Sequence, residues 1–440
     1  MNRRNFISKT TAATALAAIQ PFHILKGQIR GANERLNIAF IGAGGKGRHA
    51  IKSLEKNPLV NYAAFADVND SHAAETYKEH PEVPRYRDFR VMLDKHDKEI
   101  DAVIISTPDH MHHYPAMICM QRGKHVYLEK PLAHSIQECR ELAAMEKETG
   151  LACQMGNQGH SRQGIQLLQK WIDAGILGDV TEVVAWNPGG GTHNTKQPKP
   201  EPIPSTLDWD LWLGPTKCVP YSSIYCPATW RWWFDYGHGT LGDWACHNMD
   251  APYLVLGLGL PSSVQVRTQG ANTIGFPSEA EVVYQFPMKG RKEPLTFKWY
   301  SGTGFGPQRP SLLEAGRDLG HKSAGGTLIY GTDATVMMNS HASSTRIIPE
   351  TRMQELARSL PRAAKRSNHF QNFILACKGE EKTRSNFEYG ARLTEVMHYG
   401  NIATHLNRDL KIDTQKGKIL GDSKATKLMS SPKARKGWAV

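Results

Sequence analysis

The stretch Leu36-Asn-Ile-Ala-Phe-Ile-Gly-Ala-Gly-Gly-Lys-Gly-Arg48 constrains the fold more than any other part of the chain, because an apolar run breaks into closely spaced glycines and then resumes with a helical pattern. It reads as a strand, a tight turn and a helix start. Gly42 permits the turn, Gly44 lets bare backbone approach a pyrophosphate, and Gly47 lets the helix pack closely on its strand, with the helix N-terminus facing the anion. Gly45 and Lys46 lie in the same turn and are assigned to the ligand with it. A G-x-G-x-x-G match carries weight only between a strand and a helix, and that is its setting here. A second apolar run, Tyr62-Ala-Ala-Phe-Ala66, ends in Asp67, about twenty residues past the last glycine, where an acidic side chain hydrogen-bonds an adenosine ribose. The spacing predicts a bound dinucleotide, NAD in preference to NADP, since a carboxylate repels a 2′-phosphate.

The pattern continues as alternating strand and helix. Helices are expected at 71–80, 89–97, 114–122 and 135–149, with strands at 102–106, stopped by Thr107-Pro108, and at 152–155. This βαβ alternation predicts an α/β, doubly wound parallel sheet over 33–156. In the second half, a helix at 164–174 is followed by strands at 180–186, 263–267, 281–286, 295–300 and 327–330, separated by glycine turns, and then by helices at 369–377 and 389–406. Residues 157–415 therefore read as a separate α+β domain, and 416–440 as a basic tail without a legible motif. A Pro, Gly and Thr stretch over 188–204 must be loop, and loops of that length are usually functional or disordered.

Charge and cysteine content exclude several classes. The formal net charge is +12, but the excess sits at the two ends and in Arg352 to Arg366 without interleaved aromatics, so nucleic acid is not the expected partner. Seven cysteines form no CxxC pair, and their odd number rules out a complete set of intrachain disulfides. Residues 1–32 read as an export segment: Asn2-Arg-Arg-Asn-Phe-Ile-Ser-Lys9 resembles the twin-arginine consensus and precedes a mildly apolar run too short for a stable membrane span. The expected location is the periplasm.

Together, GAGGKG at Gly42 to Gly47, Asp67, the TPDHMH segment at Thr107 to His112, Glu129-Lys130-Pro131 and Gly242-Asp-Trp-Ala-Cys-His247 resemble the Gfo/Idh/MocA family, the glucose-fructose oxidoreductase and inositol dehydrogenase relatives. The resemblance implies a Rossmann domain followed by a larger domain whose open, mostly antiparallel sheet covers the nicotinamide and often mediates homo-oligomers. It also implies cofactor contacts from Thr107, Pro108, His112, Glu129 and Lys130. Asn157, Gln158 and His160, immediately past the last Rossmann strand, are where relatives often contact substrate or nicotinamide. This chain has Gly156-Asn-Gln-Gly-His160 where many relatives carry an arginine-rich segment, which leaves the substrate class open.

Hydride transfer from a carbinol needs a base beside a substrate held against the cofactor. Lys130, just past a strand, falls at the carboxyl edge of the sheet, where an ammonium can polarise the hydroxyl. Asp243 and His247 are spaced i, i+4, so on a helix beginning near Gly242 they share one face. His247 is the candidate base, and Asp243 orients it, binds substrate hydroxyl, or both. A metal bound by Asp243, His247 and Asp250 is a lesser alternative, because no further ligands are evident. Trp209, Trp212, Trp230, Trp232 and Trp233 crowd together with Arg231 and Tyr236. Aromatics usually fill cores, yet this grouping also suits a pyranose-stacking wall, with Arg231 contacting substrate.

The expected activity is an NAD-dependent dehydrogenase acting on a sugar, sugar derivative or cyclitol, with the cofactor tightly held. A glycosidase or lyase that oxidises, eliminates and re-reduces would use the same residues, and an inactive sugar-binding scaffold is the third possibility. Replacing Arg3 and Arg4 by lysine is expected to trap the protein inside the cell; unchanged fractionation of the double variant would overturn the export reading.

Overall fold

The computed structural model describes residues 35–190, 196–356 and 359–440, so the export segment at 1–32 lies outside the described residues. Six parallel strands, β1 (Leu36–Ile41), β2 (Val60–Ala66), β3 (Arg85–Tyr86), β4 (Ala102–Ile105), β5 (His125–Leu128) and β6 (Cys153–Met155), lie in the order β3-β2-β1-β4-β5-β6. This is the doubly wound order, and the crevice at its switch point opens between the carboxyl ends of β1 and β4. Helices cover both faces, which is why β4 is buried at every position and reads as an unbroken apolar run. Ala50, Ile51 and Leu54 bury one side of the helix Gly45–Leu54. That helix approaches its strand closely: a Cβ on Gly47 would lie 1.8 Å from the Gly42 carbonyl oxygen.

The second sheet has nine strands: β7 (Val180–Asn187), β8 (Ser263–Gln269), β9 (Glu279–Phe286), β10 (Leu295–Ser301), β11 (Gly326–Gly331), β12 (Thr335–Asn339), β13 (Thr345–Ile348), β14 (Leu410–Asp413) and β15 (Lys418–Leu420). Their order is β13-β12-β11-β7-β10-β9-β8-β14-β15, and every neighbouring pair is antiparallel except β7 and β10. Burial alternates along β9 and β10, so Ala280, Val282, Tyr284 and Phe286 share the core face with Leu295, Phe297 and Trp299. The helices Gly239–Asn248 and Phe387–Leu406 pack on the same sheet. A face buried on one side only yields period-two alternation, the signal that marks these strands in the sequence.

Two features of the architecture escape sequence periodicity. The helices His369–Cys377 and Phe387–Leu406 belong to the second half of the chain but pack on the first domain. Phe370, Phe373, Ile374 and Cys377 share a cluster with Phe40, Phe65 and Tyr127, and Phe370 stacks on Tyr127 at 5.1 Å. Helix Phe387–Leu406 packs along Ile136–Thr149, with the buried carboxylate of Glu395 paired to Arg140. The later part of the chain thus completes the packing of the first domain.

The basic tail from Lys416 onward, without a legible motif in the sequence, is part of the fold. Lys418–Leu420 pairs with β14, Ile419 is buried, and a short helix, Ser423–Lys427, leads to Trp438, itself buried. Its apolar anchors are single residues set among lysines, so no repeat betrays them. All seven cysteines are free thiols.

Candidate functional site

A cleft of ≈ 470 Å³ runs from the glycine turn after β1 to the helix Gly239–Asn248. That size falls within the usual range for ligand sites, roughly 300–1,000 Å³. At one end lie Gly42, Gly44, Gly45, Lys46 and Asp67; in the middle Thr107, Pro108, Glu129 and Lys130; at the other end Arg231, Asp243 and His247. Residues more than 200 positions apart in sequence thus line one continuous cavity.

The turn fits a dinucleotide. Gly44 and Gly45 present bare backbone against the His72 ring, where a Cβ on Gly44 would come within 2.3 Å of the imidazole. Asp67 Oδ2 accepts hydrogen bonds from the backbone N–H groups of Ala43 (2.8 Å) and Gly44 (3.0 Å), and its Oδ1 accepts from Asn69 N–H (2.9 Å). The carboxylate is thereby fixed at the mouth of the turn. Burial raises its pKa against the pull of these three N–H donors. Arg48, the cation just past the glycine turn, is paired with Glu79 at 2.7 Å.

At the far end, ionic contacts separate the roles of the candidate catalytic groups. Lys130 Nζ donates to Asp243 Oδ1 (2.5 Å) and to the Asp243 carbonyl oxygen (2.7 Å). Arg231 Nε donates to the same carboxylate oxygen at 3.3 Å. Burial opposes charge on both partners, but the pairing outweighs it, raising the Lys130 pKa and holding Asp243 down at about 2. The two groups are therefore an ammonium and a carboxylate at neutral pH, and one lysine proton remains for a ligand oxygen.

Of the roles open to Asp243, orienting His247 is not the one its side-chain contacts serve. The i, i+4 spacing does place both in the cleft, but the carboxylate turns to the two cations, and no hydrogen bond reaches the His247 ring from any described residue. Burial lowers its pKa well below the ordinary histidine value, with His341 and Lys130 contributing in the same direction. A neutral imidazole beside a fixed ammonium can accept a proton from a substrate hydroxyl.

The ring that does contact His247 is His341, stacked on it at 3.7 Å between centroids and 20° between planes. His341 has φ 59° and ψ 24°, and Ala342 follows at φ 49°. Left-handed backbone at a residue with a side chain costs roughly 1–2 kcal/mol.

Several expected contacts lie elsewhere. His112 does not line the cleft; it is buried, with Nδ1 2.7 Å from the Pro131 carbonyl and Nε2 3.0 Å from that of Thr107, so it braces the two loops that do. Gly47 acts through helix packing. His160 pairs with Asp250 at 2.9 Å beneath the Tyr389 ring, away from the cleft, and this also draws Asp250 away from Asp243 and His247. Asn157 is wholly buried outside the cleft lining, and neither side-chain amide atom has a partner among the described residues. His110, in the same Thr-Pro segment, is buried with Nε2 2.9 Å from the Trp212 carbonyl oxygen.

Trp209, Trp212, Trp230, Trp233 and Tyr236 form a hydrophobic cluster of their own, and of these only Trp212 and Trp230 reach the cleft. The Arg231 guanidinium lies 4.3 Å over the Trp230 ring, so the stacking surface is narrower than the sequence crowding suggests. Trp244, His341 and Trp438 also line the cleft. Trp244 adjoins Asp243 and was within reach of the motif. The other two carry no sequence signal.

Residues 36–157 match the model of an oxidoreductase family described by its NAD-binding Rossmann fold, and residues 163–285 match that family's C-terminal alpha/beta domain, together more than half of the chain. The chain is 26% identical to a levoglucosan dehydrogenase of Pseudarthrobacter phenanthrenivorans over 232 residues, 50% of this chain and 52% of that protein. It is 29% identical to a glycosyl hydrolase family 109 protein of Shewanella over 157 residues, 33% of this chain and 34% of that one. The matches span between 22% and 52% of the length of such curated relatives. The fold is similar to a solved WlbA dehydrogenase from Bordetella pertussis in complex with NADH and UDP-GlcNAcA, with a TM-score of 0.62 and 15% identity, covering 87% of this chain and 99% of that one.

The fixed carboxylate predicts cofactor preference. Wild-type protein should bind NAD more tightly than NADP in a titration, and Asp67→Ser should narrow the gap; tighter NADP binding by the wild type would contradict the assignment.

Proposed function

We propose that this chain, which belongs to the Gfo/Idh/MocA family of NAD-binding oxidoreductases, oxidises a hydroxyl-bearing carbon of a sugar, sugar derivative or cyclitol. The observation that carries the proposal is the meeting of Lys130, Asp243 and His247 at the end of a cleft that begins at the dinucleotide turn. When bound there, NAD supplies the acceptor for the two electrons leaving the substrate carbon. Gly44, Gly45, Lys46 and Asp67 would hold its phosphates and adenosine ribose, while Thr107, Pro108 and Glu129 would line the path to the nicotinamide.

The remaining chemistry falls to the protein's own side chains. Lys130, held charged by Asp243, donates a hydrogen bond through its remaining N–H to the substrate oxygen and stabilises the developing alkoxide. His247, held neutral by burial, takes the hydroxyl proton. Asp243 fixes the ammonium and is too acidic to donate. Trp230, Trp244 and Arg231 offer the stacking faces and polar contact that a pyranose ring would use.

A second reading is favoured by how the adenosine end is covered. Leu207 bridges to Asn69, Asp208 N–H donates to the Val68 carbonyl at 2.9 Å, and Asp70 N–H donates to Thr206 at 2.9 Å, tying a strap directly beyond Asp67. The tail adds Trp438, packed between Tyr114 at 5.0 Å and the Arg90 guanidinium at 4.4 Å. A cofactor enclosed in this way is retained through turnover, which suits a redox-neutral cycle. In that cycle a ring hydroxyl is oxidised, the ketone acidifies the adjacent C–H, elimination breaks the glycosidic bond, and the electrons return. The twin-arginine segment fits the same picture, since an exported enzyme carrying its own NAD needs no soluble pool. We further place oligomer contacts on the half-buried outer face of the nine-stranded sheet, where Val283, Gln285, Thr296 and Lys298 alternate with the core residues.

A panel of free sugars, cyclitols and aryl glycosides, followed for both nicotinamide absorbance and aglycone release, tests the reaction type. Net reduction or a keto-sugar without bond cleavage is expected; aglycone release without net reduction, abolished by removing NAD, would replace the dehydrogenase reading with the second. Replacing the base, His247→Ala, should cost about 10²- to 10⁴-fold in rate with NAD binding intact, and full activity would remove His247 from the mechanism. Protein as purified should carry NAD by mass analysis, and deletion of residues 433–440 should speed its loss on gel filtration. Equal retention by the truncated protein would deny the tail that role.

A further inference from the structure

We infer that His341, which lies outside every motif of the chain, is the positioning residue for the His247 ring. The inference rests on the reading of His247 as the base, and it follows from what is missing around that base. A catalytic imidazole is ordinarily oriented by a hydrogen bond to its second nitrogen, which fixes tautomer and ring plane. Here the Nδ1 of His247 is buried without a partner, and the one carboxylate on the same helix face is committed to Lys130 and Arg231. What remains is the parallel stack of His341, 3.7 Å away, with the Trp244 ring edge-on at 6.2 Å. A flat ring at that distance leaves His247 one plane in which to lie.

His341 is itself fixed. Its Nδ1 lies 2.8 Å from Ser340 Oγ, which orients the imidazole. Its left-handed backbone is enforced by two close approaches: a Cβ on Gly159 would fall 2.8 Å from the His341 Cα, and one on Gly164 would fall 2.3 Å from the Ala342 carbonyl oxygen. Nothing in the turn itself prefers this conformation, so the surrounding packing holds it, as expected where strained backbone serves a site. Direct proton exchange between the two rings is excluded by their geometry, because imidazole N–H bonds lie in the ring plane and these planes face each other.

The test separates the stack from the turn. Asparagine is, after glycine, the residue that most readily adopts left-handed backbone and has no ring, so His341→Asn should fold, melt near the wild-type temperature and bind NAD normally. If His341 positions His247, that variant should nevertheless lose about 10²-fold in kcat on the substrate found in the panel, with KM little changed. It should also make His247 react several-fold faster with diethyl pyrocarbonate, read by peptide mass mapping of the NAD-loaded protein. His341→Phe, which restores a flat ring without the Ser340 bond, should return most of the lost kcat and slow the modification again. Wild-type kcat and wild-type modification rate in a folded His341→Asn variant would overturn the inference. The modification assay does not depend on turnover, so it remains decisive for the stack even if His247→Ala proves fully active and the base assignment falls.

Discussion

A part-buried ion pair joins the two domains at the point where chemistry would occur. Lys130 leaves the carboxyl edge of the parallel sheet, Asp243 stands on a helix of the second domain, and their 2.5 Å contact fixes the distance between cofactor cleft and substrate end. The pair also sorts the acid–base roles. It keeps lysine charged and aspartate ionised, while the same cationic surroundings and burial keep His247 neutral. Opposed environments acting on neighbouring titratable groups are how one site supplies both an electrophile and a base at neutral pH.

The rest of the molecule holds that contact in place. Because helices His369–Cys377 and Phe387–Leu406 return to cover the first domain, the second domain cannot swing away without exposing Phe370, Phe373 and Tyr127. Each such side chain is worth roughly 1.5–3 kcal/mol of burial. The His112 ring, the strap at Thr206 to Asp208 and the tail at Gly437–Trp438 then brace the rim of the cleft. His238 adds a further link across the domains, with its Nδ1 2.6 Å from the carboxylate of Asp109, a residue that lines the cleft. The consequence for function is a cofactor site enclosed on its adenosine side and a substrate end formed by separate, narrower aromatic surfaces.

Local chemistry explains why parts of this were legible in the chain and others were not. The glycine turn, Asp67 and the apolar strands announce themselves because each depends on residues within about thirty positions: a missing Cβ, a carboxylate at a strand end, a run buried on both faces. Lys130, Asp243 and His247 were legible as motif residues. Their partners were not, since an i, i+4 spacing on a helix permits Asp243 to meet His247 but says nothing of two cations arriving from Lys130 and Arg231. His160, Asn157 and His112 show the same limit in reverse, where adjacency to the last strand or to a Thr-Pro turn places a residue near the site without turning its side chain toward it.

By itself, then, the sequence determined the doubly wound nucleotide domain, the mostly antiparallel second domain and the set of residues able to carry hydride chemistry, because periodicity and short motifs encode local backbone geometry. Only the tertiary structure decided which of those residues face one another. The Lys130–Asp243–Arg231 cluster, the His247–His341 stack, the folded tail ending in Trp438 and the return of helix His369–Cys377 to the first sheet all join positions far apart in the chain. Such contacts are set by packing and by the need to pair charge in a low-dielectric interior, and no local pattern records either.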